Sequence, residues 1–151
     1  MIMKKVILSI VLMTAALNFS SCGKKCNAPD NVVSGLIVTD AIIYSTTGTS
    51  FPNGICDDSG DYGADAKVSF DGGFTRKNID FNKYNLIWMD TYTNCDVGFD
   101  RGVKEDLVAG TVTYTVTVIN GCGKCTEKYH SMNPVLTTKW SPSLTPVFVT
   151  L

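Results

Sequence analysis

A chain of 151 residues has room for one domain, and 13 basic against 14 acidic residues leave it nearly neutral, at −1. Its two arginines, Arg76 and Arg101, stand far apart in sequence, and no long lysine run forms the clustered positive surface that phosphate neutralisation needs, so a nucleic-acid partner is not expected. Six cysteines in so short a chain fit an oxidising compartment, where disulfides persist.

The chain starts with a leader. Lys4 and Lys5 give it a positive end, and Val6 to Leu17 follow as twelve residues without a charge. A membrane-spanning helix needs about twenty apolar residues, so this run is short for a span and has the proportions of a secretory signal. Asn18 breaks the apolar run, and Phe19-Ser20-Ser21-Cys22 closes it. Small residues before a cut suit the narrow pocket of a signal peptidase.

A cysteine directly after two small residues at the end of such a leader resembles the lipobox of bacterial lipoproteins. The resemblance covers the first 22 residues. It implies that the Cys22 thiol takes a diacylglyceryl group, that the leader 1–21 is removed, and that the new amino terminus is acylated, with palmitate-type chains. Phe19 departs from the usual leucine, and Ser21 from the usual glycine or alanine. Two or more acyl chains anchor a protein stably, since each buried methylene contributes about 0.8 kcal/mol. The expected address is the bacterial cell envelope, with the outer membrane as the anchoring surface. A plain secretory leader and an uncleaved anchor are the competing readings.

Cutting before Cys22 leaves 130 residues with 11 basic against 14 acidic groups, a net charge of −3. The candidate disulfide residues are Cys26, Cys56, Cys95, Cys122 and Cys125. If Cys22 carries lipid, these five include one thiol that stays unpaired or pairs between molecules. If it does not, six cysteines allow three bridges, and sequence does not fix the connectivity. Residues 22–31 are polar and read as a lipid-attached tether, with Lys24 and Lys25 near the headgroups or simply solvated. Residues 32–151 then form the single domain.

Val32 to Tyr44 is rich in valine and isoleucine and predicts strand, with Gly35 or Asp40 as a bulge or a break. Ser45 to Ala66 is dense in glycine, aspartate, serine and threonine and predicts a long loop. Phe51 and Tyr62 make it a candidate contact edge for a protein or glycan partner. Within it, Asp57 to Gly63 places oxygen donors at alternating positions, as calcium loops do. The glycine falls one place late for an EF-hand, and Val68 stands where a closing glutamate belongs, so a solvated acidic loop is the default.

Asp71-Gly72-Gly73 predicts a hairpin between Lys67–Phe70 and Phe74–Arg76. Tyr84 to Thr93 predicts a strand with Trp88 as a core aromatic. Cys95 to Asp106, with Gly98 and Gly102, reads as a polar loop. Thr111 to Ile119 alternates without a lapse: Val112, Tyr114, Val116 and Val118 face one way, four threonines the other. That is the pattern of an antiparallel strand half in the core. Asn120-Gly121 begins a turn, and Cys125 to His130 is expected to return as the second arm of a hairpin. Val135–Trp140 and Pro146–Leu151 are further strand candidates.

The sum is an all-β, antiparallel β-sandwich of about seven or eight strands. Residues 110–123 resemble the closing strands of immunoglobulin-like modules on bacterial surface proteins, which implies an immunoglobulin-like topology.

Cys122-Gly123-Lys124-Cys125 is the one motif with chemistry attached. A redox Cys-x-x-Cys has its thiolate stabilised at a helix amino terminus, and here the pair follows a strand. A zinc site needs two more ligands, from His130, Cys95 or Cys56. A structural bridge is the simplest reading, with a thiol-disulfide or metal-binding envelope protein as the alternative. His130 is the only imidazole, no Gly-x-Ser-x-Gly elbow surrounds a serine, and no enzyme signature emerges. The expectation is a non-catalytic binding or structural domain with no cofactor and no catalytic residue.

Overall fold

The computed structural model describes residues 30–43, 53–58, 66–70, 75–94, 97–121 and 128–151. Among them there are strands and no helix. In chain order the strands are β1 (Val32–Gly35), β2 (Ile37–Ile43), β3 (Gly54–Cys56), β4 (Ala66–Ser69), β5 (Arg76–Asn78) and β6 (Tyr84–Trp88). They continue as β7 (Thr91–Thr93), β8 (Gly98–Asp106), β9 (Thr111–Ile119), β10 (Tyr129–Ser131), β11 (Val135–Thr138) and β12 (Thr145–Thr150). This exceeds the expected seven or eight. Four of the twelve are three residues long, too short to show a period in the sequence.

The strands form two layers and a ribbon. One sheet runs β1-β8-β9-β12, the other β3-β6-β11-β2-β4-β5, and β7 pairs with β10 alone. The main core lies between the layers in a sandwich-like arrangement. Val103, Val112, Tyr114 and Val116 from the first sheet meet Ile87 and Val135 from the second, with Trp140 and Leu144 closing the group. Burying a side chain of this size contributes about 1.5–3 kcal/mol. The alternation expected for β9 is observed: Val112, Tyr114 and Val116 are buried while the threonines are half-exposed.

A second apolar cluster covers the opposite face of the larger sheet. Leu86 and Trp88 point into it with Phe81, Cys56, Ala41 and Ala66, while Ile87 between them points into the main core. β6 is therefore buried on both faces, and Trp88 is the core aromatic that its sequence predicts.

Leu36, between β1 and β2, joins the two sheets. Its N–H donates to the Val103 carbonyl of β8, and its own carbonyl accepts from the Thr138 N–H at the end of β11. Gly35 makes this crossing feasible. It has φ +72, and a Cβ there would lie 2.0 Å from the Val103 oxygen, so only glycine fits without displacing backbone. The break expected at Gly35 or Asp40 falls at Gly35.

Several expectations need correction. The sheets are not wholly antiparallel: β1 pairs with β8 in parallel, and β12 with β9 in parallel. Both are edge strands whose connections to their partners are long, so no tight turn forces antiparallel pairing. Residues 98–106 are not loop but the nine-residue strand β8, paired along its length with β9. Finally, β10 does not return along β9; it pairs with β7, His130 opposite Tyr92. The expected hairpin of β4 and β5 is present, with Val68 opposite Lys77. Gly54–Cys56, expected as loop, adds β3 to the edge of β6.

Candidate functional site

The site is built from β8 upward. Along β8 the residues Phe99, Arg101 and Val103 share the face toward the interior, because side chains alternate along a strand. Arg101 thus sits between two apolar neighbours and is 94% buried, at 6% exposure. Its Nη2 lies 2.7 Å from Oδ1 of Asp40, which projects from β2 in the other sheet and is itself more than half exposed. The approach lacks hydrogen-bond direction. Among the described residues, neither Nε nor Nη2 of Arg101 has a hydrogen-bond partner.

The hollow in front of Arg101 encloses about 330 Å³ and is walled by Phe99, Tyr129, His130, Ser131 and Asn133, with Asn31 at its edge. Asn133 is held in a left-handed backbone conformation at φ 44. Its amide donates to Thr91 Oγ1 at 2.7 Å, which locks it to β7. Asn31 is fixed by accepting the Phe99 N–H on its Oδ1 at 2.9 Å.

Behind the wall, the Tyr114 hydroxyl donates to the Asn133 carbonyl at 2.6 Å. Burial pushes this hydroxyl well above the ordinary tyrosine value, with Arg101 acting to lower it and Asp40 to raise it. Tyr114 is therefore a neutral donor at any pH near 7. His130, which borders the hollow, stacks on the ring of Tyr92 with centroids 4.8 Å apart, and its Nε2 lies 3.2 Å from Asp90 Oδ1. Asp90 is anchored through its backbone N–H, which donates to Asn53 Oδ1.

The hollow is therefore bordered by a buried arginine, an imidazole and two aromatic side chains.

Of the cysteines, Cys56 alone falls within the described residues. It is buried at the end of β3, its Sγ 2.9 Å from the Asp58 carbonyl oxygen, remote in sequence from the strands that form the hollow. Cys22, Cys26, Cys95, Cys122 and Cys125 lie outside the described residues, as do Phe51 and Tyr62 of the expected contact edge. Asp57 and Asp58 border a separate hollow with Asp80, where Lys139 Nζ donates to the carbonyls of Asp57 and Phe81 at 2.8 Å each. No group of three histidine, cysteine, aspartate or glutamate side chains among the described residues could hold a metal ion.

Sequence reasoning singled out His130 as the lone imidazole and missed Arg101 as a buried group. The available signal was its placement two residues from both Phe99 and Val103.

No protein-family model matches this chain, and no curated protein or solved structure matches it either.

Proposed function

We propose that this is a lipid-anchored protein of the bacterial cell envelope, attached through Cys22 to the outer membrane, whose immunoglobulin-like β-sandwich serves as a non-catalytic binding domain. The observation that carries this reading is the leader: Lys4 and Lys5, the charge-free run Val6 to Leu17, and the closing Phe19-Ser20-Ser21-Cys22. The immunoglobulin-like topology is supported by two facing layers with non-sequential strand order and by a strand that passes from one layer to the other at Gly35. A binding role is supported by the polar hollow beside Arg101.

The position of the hollow agrees with a tethered domain. Asn31, at its edge, ends the tether 22–31. Ten extended residues reach at most about 35 Å, so the hollow would stay within that reach of the lipid surface.

Mass spectrometry of the amino-terminal peptide and incorporation of labelled palmitate test the anchor. The expected result is acylated Cys22 as the first residue, with label lost and the protein released from membranes in Cys22→Ala. An amino terminus elsewhere, or label retained in that variant, would overturn it.

A further inference from the structure

We propose that the apex of the β8–β9 hairpin, Leu107-Val108-Ala109, is a second membrane contact, seating in the bilayer surface to which Cys22 tethers the domain. This rests on the reading of the chain as lipid-anchored.

The first argument is the apex itself. Leu107 is 75% exposed and Val108 101%, and Ala109 beside them is exposed too. Turns are ordinarily built from glycine, proline, asparagine, aspartate and serine. Here three apolar residues in a row stand in water at the end of two nine-residue strands. The backbone of the apex is already fixed. Asp106 Oδ1 accepts the N–H of Val108 at 3.0 Å and that of Ala109 at 2.8 Å. Gly110 follows at φ +66, and its carbonyl accepts the Thr145 N–H at 2.9 Å, which ties the turn to β12. A turn ordered in advance loses little freedom when its side chains leave water.

The second argument is the length of the tether and where it ends. Asn31 Oδ1 accepts the Phe99 N–H, so the tether 22–31 ends at the start of β8. Leu107 stands eight residues beyond Phe99, at most about 27 Å away at about 3.3 Å per residue. The extended tether reaches about 35 Å. The lipid on Cys22 and the apex can therefore lie in one surface, with the domain turned over on its tether. In that orientation the hollow at the Phe99 end faces away from the membrane.

The third argument is what fits so small an apex. A stable protein interface takes about 20–30 residues a side, far more than three. A bilayer asks for no matching pocket. The mature charge of −3 gives no attraction to anionic lipid, so the contact rests on apolar burial at a neutral surface. Two aliphatic side chains partition weakly by themselves. The tether makes the contact intramolecular, and the effective concentration then holds it.

The test uses the full acylated chain, methyl-labelled, in phosphatidylcholine nanodiscs carrying a trace of gadolinium-chelate lipid. Leu107 and Leu151 are both largely exposed, at 75% and 70%. They lie toward opposite ends of one sheet, because the Leu151 N–H donates to the Val116 carbonyl while Thr145 sits by Gly110. The expected result is a greater loss of methyl signal at Leu107 than at Leu151. Val108→Asp removes an aliphatic side chain that stands wholly in water and adds a charge, so it spares the fold. It is expected to cut the excess loss at Leu107 by about fivefold or more.

Equal or smaller loss at Leu107 than at Leu151, in a chain shown by mass spectrometry to be acylated at Cys22, would overturn the apex contact and leave the anchor standing. An excess unchanged by Val108→Asp would overturn it as well. Leu107 signals that respond to the number of copies per disc and not to the gadolinium lipid would assign the apex to a second copy and overturn the membrane contact. A chain that is never acylated at Cys22 would overturn both readings together.

Discussion

The Tyr114 hydroxyl donates to the Asn133 carbonyl oxygen at 2.6 Å, from the middle of β9 to the segment that enters β11 in the opposite sheet. It is a buried polar link between the two layers, which also meet through the Arg101–Asp40 ion pair. Replacing Tyr114 with phenylalanine keeps the ring and strands the carbonyl. The expected loss is about 1–2 kcal/mol in urea denaturation, with an unchanged m-value. A loss below about 0.3 kcal/mol would show that the bond contributes nothing net.

The same hydroxyl predicts an alkaline effect. In the fold, burial raises its pKa above the ordinary value of 10.0. An acid whose pKa is raised by folding contributes stability that is complete below the unfolded value and is lost as pH rises beyond it. Above about pH 10 the unfolded chain releases this proton and the folded chain keeps it, so stability falls by about 1.4 kcal/mol per pH unit from this group. Tyr114→Phe lacks that component. Between pH 9 and pH 11 the stability of the wild type is expected to fall more steeply than that of the variant. Parallel pH profiles would contradict a neutral, buried Tyr114.

Asn133 separates two effects at one residue. Its φ of 44 is a conformation that asparagine tolerates better than most residues and glycine best of all. Its amide also donates to Thr91 Oγ1. Asn133→Gly loses the bond but keeps the backbone unstrained, whereas Asn133→Ala loses both. The alanine variant is expected to be the less stable of the two by about 1 kcal/mol, measured by thermal or urea unfolding. Equal stabilities would mean that the left-handed backbone is not held in solution.

The unequal legibility of β8 and β9 has a physical source. β9 alternates valine or tyrosine with threonine over nine residues, and each apolar residue from Val112 to Val116 is buried. β8 is equally long, but its interior face carries Arg101 beside Phe99 and Val103, and Gly98 and Gly102 look like turn residues. Its conformation is specified by pairing with β9, which is a tertiary fact. The same holds for β10. Periodicity marks a strand but does not name its partner, so a return strand reaching His130 is expected beside β9, whereas Tyr129–Ser131 lies beside β7. The site was harder still to read. Arg101, Asp40 and Asn133 come from three separate parts of the chain, and only the packing of two sheets brings them together.

Among the described glycines, Gly35 at the crossing makes the closest approach to another residue. Its carbonyl–amide neighbourhood serves both sheets, because Leu36 donates to Val103 in one and accepts from Thr138 in the other. In Gly35→Ala the new methyl meets the Val103 oxygen, and φ +72 adds the left-handed penalty of about 1–2 kcal/mol. Backbone must move to relieve the contact, and the parallel pairing of β1 with β8 is what can yield. The expected outcome is a loss of at least about 2 kcal/mol. Faster amide exchange is expected at Leu36, whose N–H donates across the crossing, with β9 unchanged in its pairing with β12. Ser34→Ala, one residue earlier on exposed β1, is the control and should change stability by less than about 0.5 kcal/mol. If the two variants prove equally stable, the close approach of Gly35 to Val103 is not kept in solution.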